Sequence, residues 1–258
     1  MDKHHVIVIT GASSGIGAAA ARLVGSKGAS PVLAARRLEE LRRVAGESGP
    51  SALAVVADVT LRADVQRIVD EALDRFGRID VWINNAGRGI SQPVAEITDE
   101  DFDDMMRVNV KSALYGMQAV LPHMKRRGRG HIINVSSVLG RLPFASVRAA
   151  YSASKHALMS LTANLRVDLR VEFPDIHVSS LIPGVVATEF GLHALHGGPD
   201  SRQLPQAQSV DEVAEVLVDL IEHPRAEAYT RPVYQQQVAA YFAAENVDEV
   251  ESKPPFTR

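Results

Sequence analysis

Val6-Ile7-Val8-Ile9-Thr10-Gly11-Ala12-Ser13-Ser14-Gly15-Ile16-Gly17 is the stretch that decides the fold. Its first five residues are β-branched and almost wholly apolar, which suits a strand covered on both faces. A glycine-rich turn follows at once, and small residues continue from 18 to 24 as the start of a helix. Strand, tight turn and helix in that order open a βαβ unit. Gly11 permits the sharp exit from the strand, Gly15 lets a pyrophosphate come close to the backbone, and Gly17 lets the helix pack tightly on the sheet. The unpaired N–H groups and the positive end of the helix dipole then face the phosphates. The hydroxyls of Ser13 and Ser14 add donors, with Ile16 between the last two glycines. The spacing is Gly-x3-Gly-x-Gly rather than Gly-x-Gly-x2-Gly, so it meets the general dinucleotide pattern in kind only.

Working outward, the same alternation continues. Further strands are expected at residues 32–35, 52–57, 81–84, 131–136 and 178–182, separated by segments of helical period. The clearest helix spans residues 61–76, where Leu61, Val65, Ile68, Val69, Ala72, Leu73 and Phe76 form one apolar stripe. Thr60 is expected at its N-cap and Gly77 just past its end. A second helix starts after Thr98, whose hydroxyl pairs with Asp101 as a capping box. A third runs from Tyr151 to about 171 and stops before Phe173-Pro174, since the residue preceding proline is pushed out of the helical region. A fourth covers residues 210–221, capped by Ser209. The fold class is therefore α/β, a Rossmann-type doubly wound sheet of about seven mostly parallel strands flanked by helices, in a single domain over 1–258. The irregular stretch 189–208 is expected to be a lid over the substrate, and residues 245–258 a flexible tail.

Composition limits the rest. Of the 258 residues, 46% are apolar and 23% charged, ordinary values for a globular chain. A net charge of -3 offers no bulk attraction to nucleic acid or to an anionic membrane. There is no cysteine, hence no disulfide or thiolate metal site. No run is long enough to span a bilayer or serve as a signal sequence, and a cytoplasmic location is expected.

The second strand ends Ala34-Ala35-Arg36-Arg37. An acidic residue at this point would hold the ribose 2′-hydroxyl of NAD, whereas arginine accommodates the 2′-phosphate of NADP. Two guanidinium groups and no carboxylate point to NADP(H), with Arg36 the main contact and Arg37 beside it. Cations at the start of a helix oppose its dipole, so a nearby phosphate gives both a reason to be there.

Tyr151-Ser152-Ala153-Ser154-Lys155 puts a phenol and an ammonium at i and i+4 on one helix face. A phenol of unperturbed pKa about 10 is a poor base near neutrality, and a neighbouring ammonium favours its ionised form. Upstream, Asn134-Val135-Ser136-Ser137 leaves a strand that in an open α/β sheet ends at the ligand crevice. Ser137 can hydrogen-bond and polarise a substrate oxygen, with Ser136 as the alternative.

Residues 10–17, Asn84-Asn85-Ala86-Gly87, Asn109, Ser137, Tyr151, Lys155 and Pro183-Gly184 together resemble the short-chain dehydrogenase/reductase family, in the same order. The resemblance spans about residues 6–188. It implies an NADP(H)-dependent oxidoreductase that moves hydride between the nicotinamide and a carbonyl or secondary alcohol. It implies Tyr151 as the acid/base, Lys155 lowering its pKa and binding the nicotinamide ribose, Ser137 orienting the carbonyl, and Asn109 holding a water for the proton relay. Asp58, followed by Val59, would meet the adenine. Asn85, Ala86 and Gly87 would pass beside the cofactor, while Pro183, Gly184, Val186 and Thr188 would seat the nicotinamide. A homodimer or homotetramer acting on a small molecule is implied as well. The rival reading is a non-catalytic NADP(H)-binding sensor, which predicts a damaged tyrosine or lysine. Loops at 88–91, 139–148 and 190–208 would set the substrate, which the sequence leaves open.

Three signals are set aside. The basic cluster 125–129 lies at a helix C-terminus, where cations suit the dipole. His193 and His196 lack a carboxylate in metal-ligand register and are read as lid residues, with no metal expected. Trp82 is assigned to the core beneath the sheet.

Overall fold

A computed structural model describes residues 5–252. The strands are β1 (Val6–Thr10), β2 (Ser30–Ala35), β3 (Leu53–Val56), β4 (Val81–Asn84), β5 (Gly130–Val135), β6 (Ile176–Ile182) and β7 (Glu227–Tyr229). They form one sheet in the order β3-β2-β1-β4-β5-β6-β7. Every pairing is parallel. The order reverses direction between β1 and β4, so the crevice expected for a ligand opens above Thr10 and Asn84.

Residues alternate between two apolar layers, as a sheet covered on both faces requires. Ile7 and Ile9 point to one side, where they meet α1 (Gly15–Ser26), α2 (Leu38–Glu47) and α7 (Val210–Glu222). Val6 and Val8 point to the other, against α3 (Arg62–Phe76), α5 (Ser112–Arg127) and α6 (Ala149–Leu169). Trp82 is fully buried in this second layer, and its indole N–H donates to Asn84 at 2.7 Å. Asn84 in turn donates to Asn134 at 2.8 Å, and Asn134 to Thr162 at 2.8 Å, a polar thread that ties β4, β5 and α6 together.

Several caps agree with the expectations. Thr98 and Asp101 form a reciprocal capping box at the start of α4 (Asp99–Met106). Ser209 caps α7, and Gly77 ends α3 in the left-handed conformation. Thr60 does not cap α3. Asp58 accepts hydrogen bonds from both the Thr60 N–H at 2.9 Å and the Thr60 hydroxyl at 2.8 Å, and this turn moves the cap position to Leu61. α2, the helix expected to start after Arg36-Arg37 but given no bounds there, buries only Leu41 and Val44. The segment expected to be a tail is partly ordered. After α8 (Pro232–Ala243), α9 (Val247–Glu251) is capped by Asn246 and held by a 3.0 Å hydrogen bond from the Tyr241 hydroxyl to Glu251. The remaining tail residues, 253–258, lie outside the described residues. The stretch 189–208 is tethered rather than free. Leu195 forms a parallel bridge with Ile90, and Gln208 another with Val186. Among the described residues no helix is long and apolar enough to cross a membrane.

Candidate active site

A cavity of about 1100 Å³ runs along the C-terminal ends of the strands, from Arg36 past the glycine turn to Tyr151 and the 189–208 stretch. It is lined by Gly11, Ser13, Ser14, Gly15 and Ile16 from the turn, by Asp58 and Val59 after β3, and by Asn85, Ala86 and Gly87 after β4. Ser137, Tyr151, Lys155, Pro183, Gly184, Val186 and Thr188 line its other half. Two expected site residues stand behind the wall. Gly17 packs so closely that an added Cβ would come within 2.6 Å of Asn85 Nδ2 and of the Gly11 carbonyl. Asn109 is 1% exposed and reaches the site only through its neighbours.

The turn suits a diphosphate. Gly11 and Gly15 have φ of +66° and +56°, a region in which side chains are strained. Ser14 occupies the N-cap of α1 without a side-chain cap bond, and no acidic residue lies in the first turn. The donors at this helix start are therefore unclaimed by side chains and unneutralised. A Cβ on Gly87 would lie 3.1 Å from Asn109 Oδ1 and 3.6 Å from Lys155 Nζ, so glycine keeps this wall thin. Arg37 donates to the Ser13 hydroxyl at 3.1 Å and lies 3.5 Å from Glu40. Arg36 is exposed, lines the cavity and has no acidic partner among the described residues. The residues present thus fit a dinucleotide, with Arg36 at its open end.

At the other end, Tyr151 stands in the first turn of α6, two residues after its start, with Lys155 one turn on. Lys155 Nζ lies 5.6 Å from the Tyr151 ring centre and donates to the Val135 carbonyl at 2.9 Å. Burial pulls the Lys155 ammonium down to about 8. Burial also pushes the Tyr151 phenol up to about 12, against the opposing effects of the Ser137 hydroxyl and the Arg148 guanidinium. This departs from the expectation that lysine alone lowers the phenol, because desolvation acts on both members of the pair. Ser137 caps a short 3-10 turn, its oxygen accepting from the Leu139 N–H at 3.2 Å. Ser136 instead directs its hydroxyl to the Lys155 main-chain carbonyl at 3.4 Å, away from the phenol.

Asn109 lies in a π-helical segment, Arg107–Lys111, between α4 and α5. Its side chain is fully committed. Oδ1 accepts from the Arg88 N–H at 2.8 Å, while Nδ2 donates to the Arg88 carbonyl at 2.9 Å and to Ser154 at 3.0 Å. A water held here would meet the main chain, which the wide turn takes off the regular i→i−4 ladder. His193 and His196 are not brought together. His196 meets Asp101 at 2.9 Å and His193 lies 3.5 Å from Glu189. Among the described residues no group of three metal-ligating side chains converges. One neighbour of the site is absent from the sequence-based expectations, and another is present there only as the end of a loop. Tyr234 of α8 packs over Gly184, where an added Cβ would fall 2.2 Å from its ring, and no local pattern signals that approach. Arg148 closes the 139–148 segment expected to help set the substrate, with no role of its own assigned there, and it stands three residues before Tyr151.

The short chain dehydrogenase family model matches residues 5–194. An uncharacterized oxidoreductase of Staphylococcus saprophyticus is 39% identical over 192 residues, covering 74% of this chain and 78% of its own. Among solved structures, a short chain dehydrogenase/reductase from Burkholderia phymatum in complex with NAD superposes with a TM-score of 0.86. It is 29% identical, with 100% of this chain and 99% of that one covered. An alcohol dehydrogenase from Thermococcus sibiricus, complexed with 5-hydroxy-NADP, gives a TM-score of 0.78 at 30% identity, covering 90% of this chain and 98% of that one.

Proposed function

The chain belongs to the short-chain dehydrogenase family, and from that premise we propose that it is an NADP(H)-dependent oxidoreductase interconverting a carbonyl compound and its alcohol. The observation that carries this reading is the continuity of the cavity: the unclaimed helix start of α1, the half-buried Tyr151 and the buried Lys155 line one space. The nicotinamide, when bound, supplies or accepts the hydride.

The chain's own residues supply binding and proton handling. Tyr151 Oη gives its proton to the developing alkoxide in reduction and takes it back in oxidation. Ser137 donates a hydrogen bond to the same substrate oxygen and holds it within reach of the phenol. Lys155 contributes positive charge beside the phenolate, and Asn109, through its main chain, holds the water that passes the proton from solvent to Tyr151 in reduction and back to solvent in oxidation. Arg36, with Arg37 behind it, favours NADP over NAD by forking onto the extra phosphate. Gly11, Ser13, Ser14, Gly15 and Ile16 take the diphosphate, Asp58 and Val59 the adenine side, and Pro183, Gly184, Val186 and Thr188 the nicotinamide side.

The test is oxidation of NADPH and of NADH by the purified protein across a panel of ketones and aldehydes. Tyr151→Phe is expected to lower kcat about 10³-fold, the weight of a positioned acid/base. Arg36→Ala is expected to erode the NADPH preference by raising the KM for NADPH. Unchanged turnover in Tyr151→Phe would sink the mechanism, and absence of turnover in the wild type would leave the non-catalytic sensor as the better account.

A further inference from the structure

Eight arginines line the cavity: Arg22, Arg36, Arg37, Arg43, Arg88, Arg107, Arg148 and Arg202. Six of them have a carboxylate within reach. Of these eight, only Arg36 and Arg148 have none among the described residues. Arg36 stands at the cofactor end, where the extra phosphate of NADP(H) would match it. Arg148 stands at the opposite end, beside Tyr151 and across from the 189–208 stretch.

Charge without a counter-charge in a half-buried place is costly, and proteins keep it where a ligand restores the balance. Arg148 donates one N–H to the Ile90 carbonyl at 2.8 Å. Among the described residues no acceptor claims the rest of its five-donor fork. The backbone in front of it is strained: Val147, β-branched, has φ +56°, held there by a 2.9 Å hydrogen bond from the Gln92 N–H to its carbonyl. A second polar group close by is also unsatisfied. The Ser91 hydroxyl is buried without a hydrogen-bond partner, and it and Arg148 Nη2 each lie 3.1 Å from the point where Gly198 would carry a Cβ. Glycine at 198 keeps this edge of the guanidinium uncrowded. Apolar walls stand opposite, with Leu139 lining the cavity and Phe190 edge-on to the Tyr151 ring at 5.7 Å.

We propose that Arg148 is the oxyanion-recognition residue of the substrate half, and that the substrate is a carbonyl compound with a carboxylate or phosphate at one end and an apolar body. The inference rests on the oxidoreductase reading. A guanidinium fork matches either oxyanion bidentately, and it fixes the substrate's orientation with its carbonyl toward Tyr151. The same positive charge already opposes the burial-driven rise of the Tyr151 phenol. A bound oxyanion would neutralise that help, so the charge acts on substrate affinity more than on the proton step.

The test compares matched pairs with NADPH: 2-oxobutanoate, 4-oxopentanoate and 5-oxohexanoate against their methyl esters, and dihydroxyacetone phosphate against dihydroxyacetone. The wild type is expected to favour at least one anion over its neutral partner by 10-fold or more in kcat/KM. Arg148→Met should abolish that preference, mainly through KM, while Arg148→Lys, which keeps the charge without the fork, restores part of it. Which pair shows the preference separates carboxylate from phosphate. Turnover of the neutral carbonyls with no gain from an anion overturns the inference and leaves the oxidoreductase reading standing. A shift of the pH profile in Arg148→Met that is equal for acids and esters, without loss of preference, also overturns it and makes Arg148 a positioning residue for Tyr151. Absence of NADPH oxidation with every carbonyl overturns both readings. If Arg148→Met fails to fold, Arg148→Lys and the wild-type preference decide: a preference that Arg148→Lys leaves undiminished overturns the inference, and one that it weakens supports it.

Discussion

At the edge of the sheet where the strands begin, Asp80 is held between Arg78 at 2.6 Å and Arg127 at 3.0 Å, and it accepts a 2.9 Å hydrogen bond from the Val6 N–H. At the edge where the strands end, Lys155 is buried and Arg148 half-buried, and among the described residues no carboxylate stands beside either. Burial would raise the Asp80 carboxyl, yet Arg78, the Val6 N–H and Arg127 together hold it below the usual range. Nothing comparable offsets burial at Lys155, which drops to about 8. The lower edge balances its own charges, and the upper edge leaves positive charge for something else to match. That asymmetry separates charge used for architecture from charge used for binding and chemistry, without reference to any motif.

The largest effect that would sharpen the contrast lies at the lower edge. Removing Asp80 strands two guanidinium groups and the first amide of β1. Asp80→Ala is expected to cost about 3 kcal/mol of unfolding free energy, at the low end for a buried pair because Arg78 remains partly wetted. Urea denaturation measures this, and per-molecule kcat/KM should hold in whatever fraction stays folded. A cost under about 0.5 kcal/mol would mean that the lower cluster is surface decoration.

The next effect concerns histidines. His131 is 4% exposed, hydrogen-bonded through Nε2 to Ser179 at 2.8 Å, with its Nδ1 unpaired. Burial pulls it down to about 3, with the His177 charge acting the same way. His123 is lowered too, chiefly by burial, and accepts from the Ile79 N–H at 3.1 Å. A histidine that folds neutral and unfolds protonated gives stability that is complete above the unfolded value of about 6.5 and is lost as pH falls toward the folded one. Between pH 6.5 and 5 the loss from His131 is about 2 kcal/mol. Chemical denaturation at both pH values should show it, and His131→Gln should flatten the slope. A wild-type slope unchanged by that substitution would place the acid lability elsewhere.

The difference between the two edges also explains what is legible in the sequence. The upper edge is legible because its parts are local: Gly-x3-Gly-x-Gly is one turn, Tyr151 and Lys155 are one helical turn apart, and Arg36-Arg37 follow a strand directly. The lower edge joins Asp80 ahead of β4, His123 and Arg127 of α5 and His131 of β5, and no spacing within any one element announces the cluster. Departures from expectation have the same root. Thr60 matches a capping pattern, but Asp58 two residues earlier competes for its N–H and wins. The last residues look frayed by composition, yet Asn246 caps α9 and Tyr241, packed on Phe144, pins it. Arg148 is legible only as the end of a loop expected to set the substrate; the fold reveals that six other cavity arginines have acids and it does not.

The smallest expected effect tests the upper edge directly and runs opposite in sign to the first. A lysine lowered from 10.5 to about 8 by burial alone destabilises the native state in its charged form. In full, that penalty is about 3 kcal/mol at neutral pH. The 2.9 Å bond to the Val135 carbonyl recovers part of it. Lys155→Met keeps the stem's packing and drops the charge, so it should raise stability by about 1 kcal/mol while removing turnover. The pH dependence has a matching sign. Between about 8 and 10.5 the unfolded chain holds a proton the native state has released, so wild-type stability should rise with pH across that window and the variant's should not. Destabilisation in Lys155→Met would show that the ammonium is balanced inside the protein, and the contrast between the two edges would collapse.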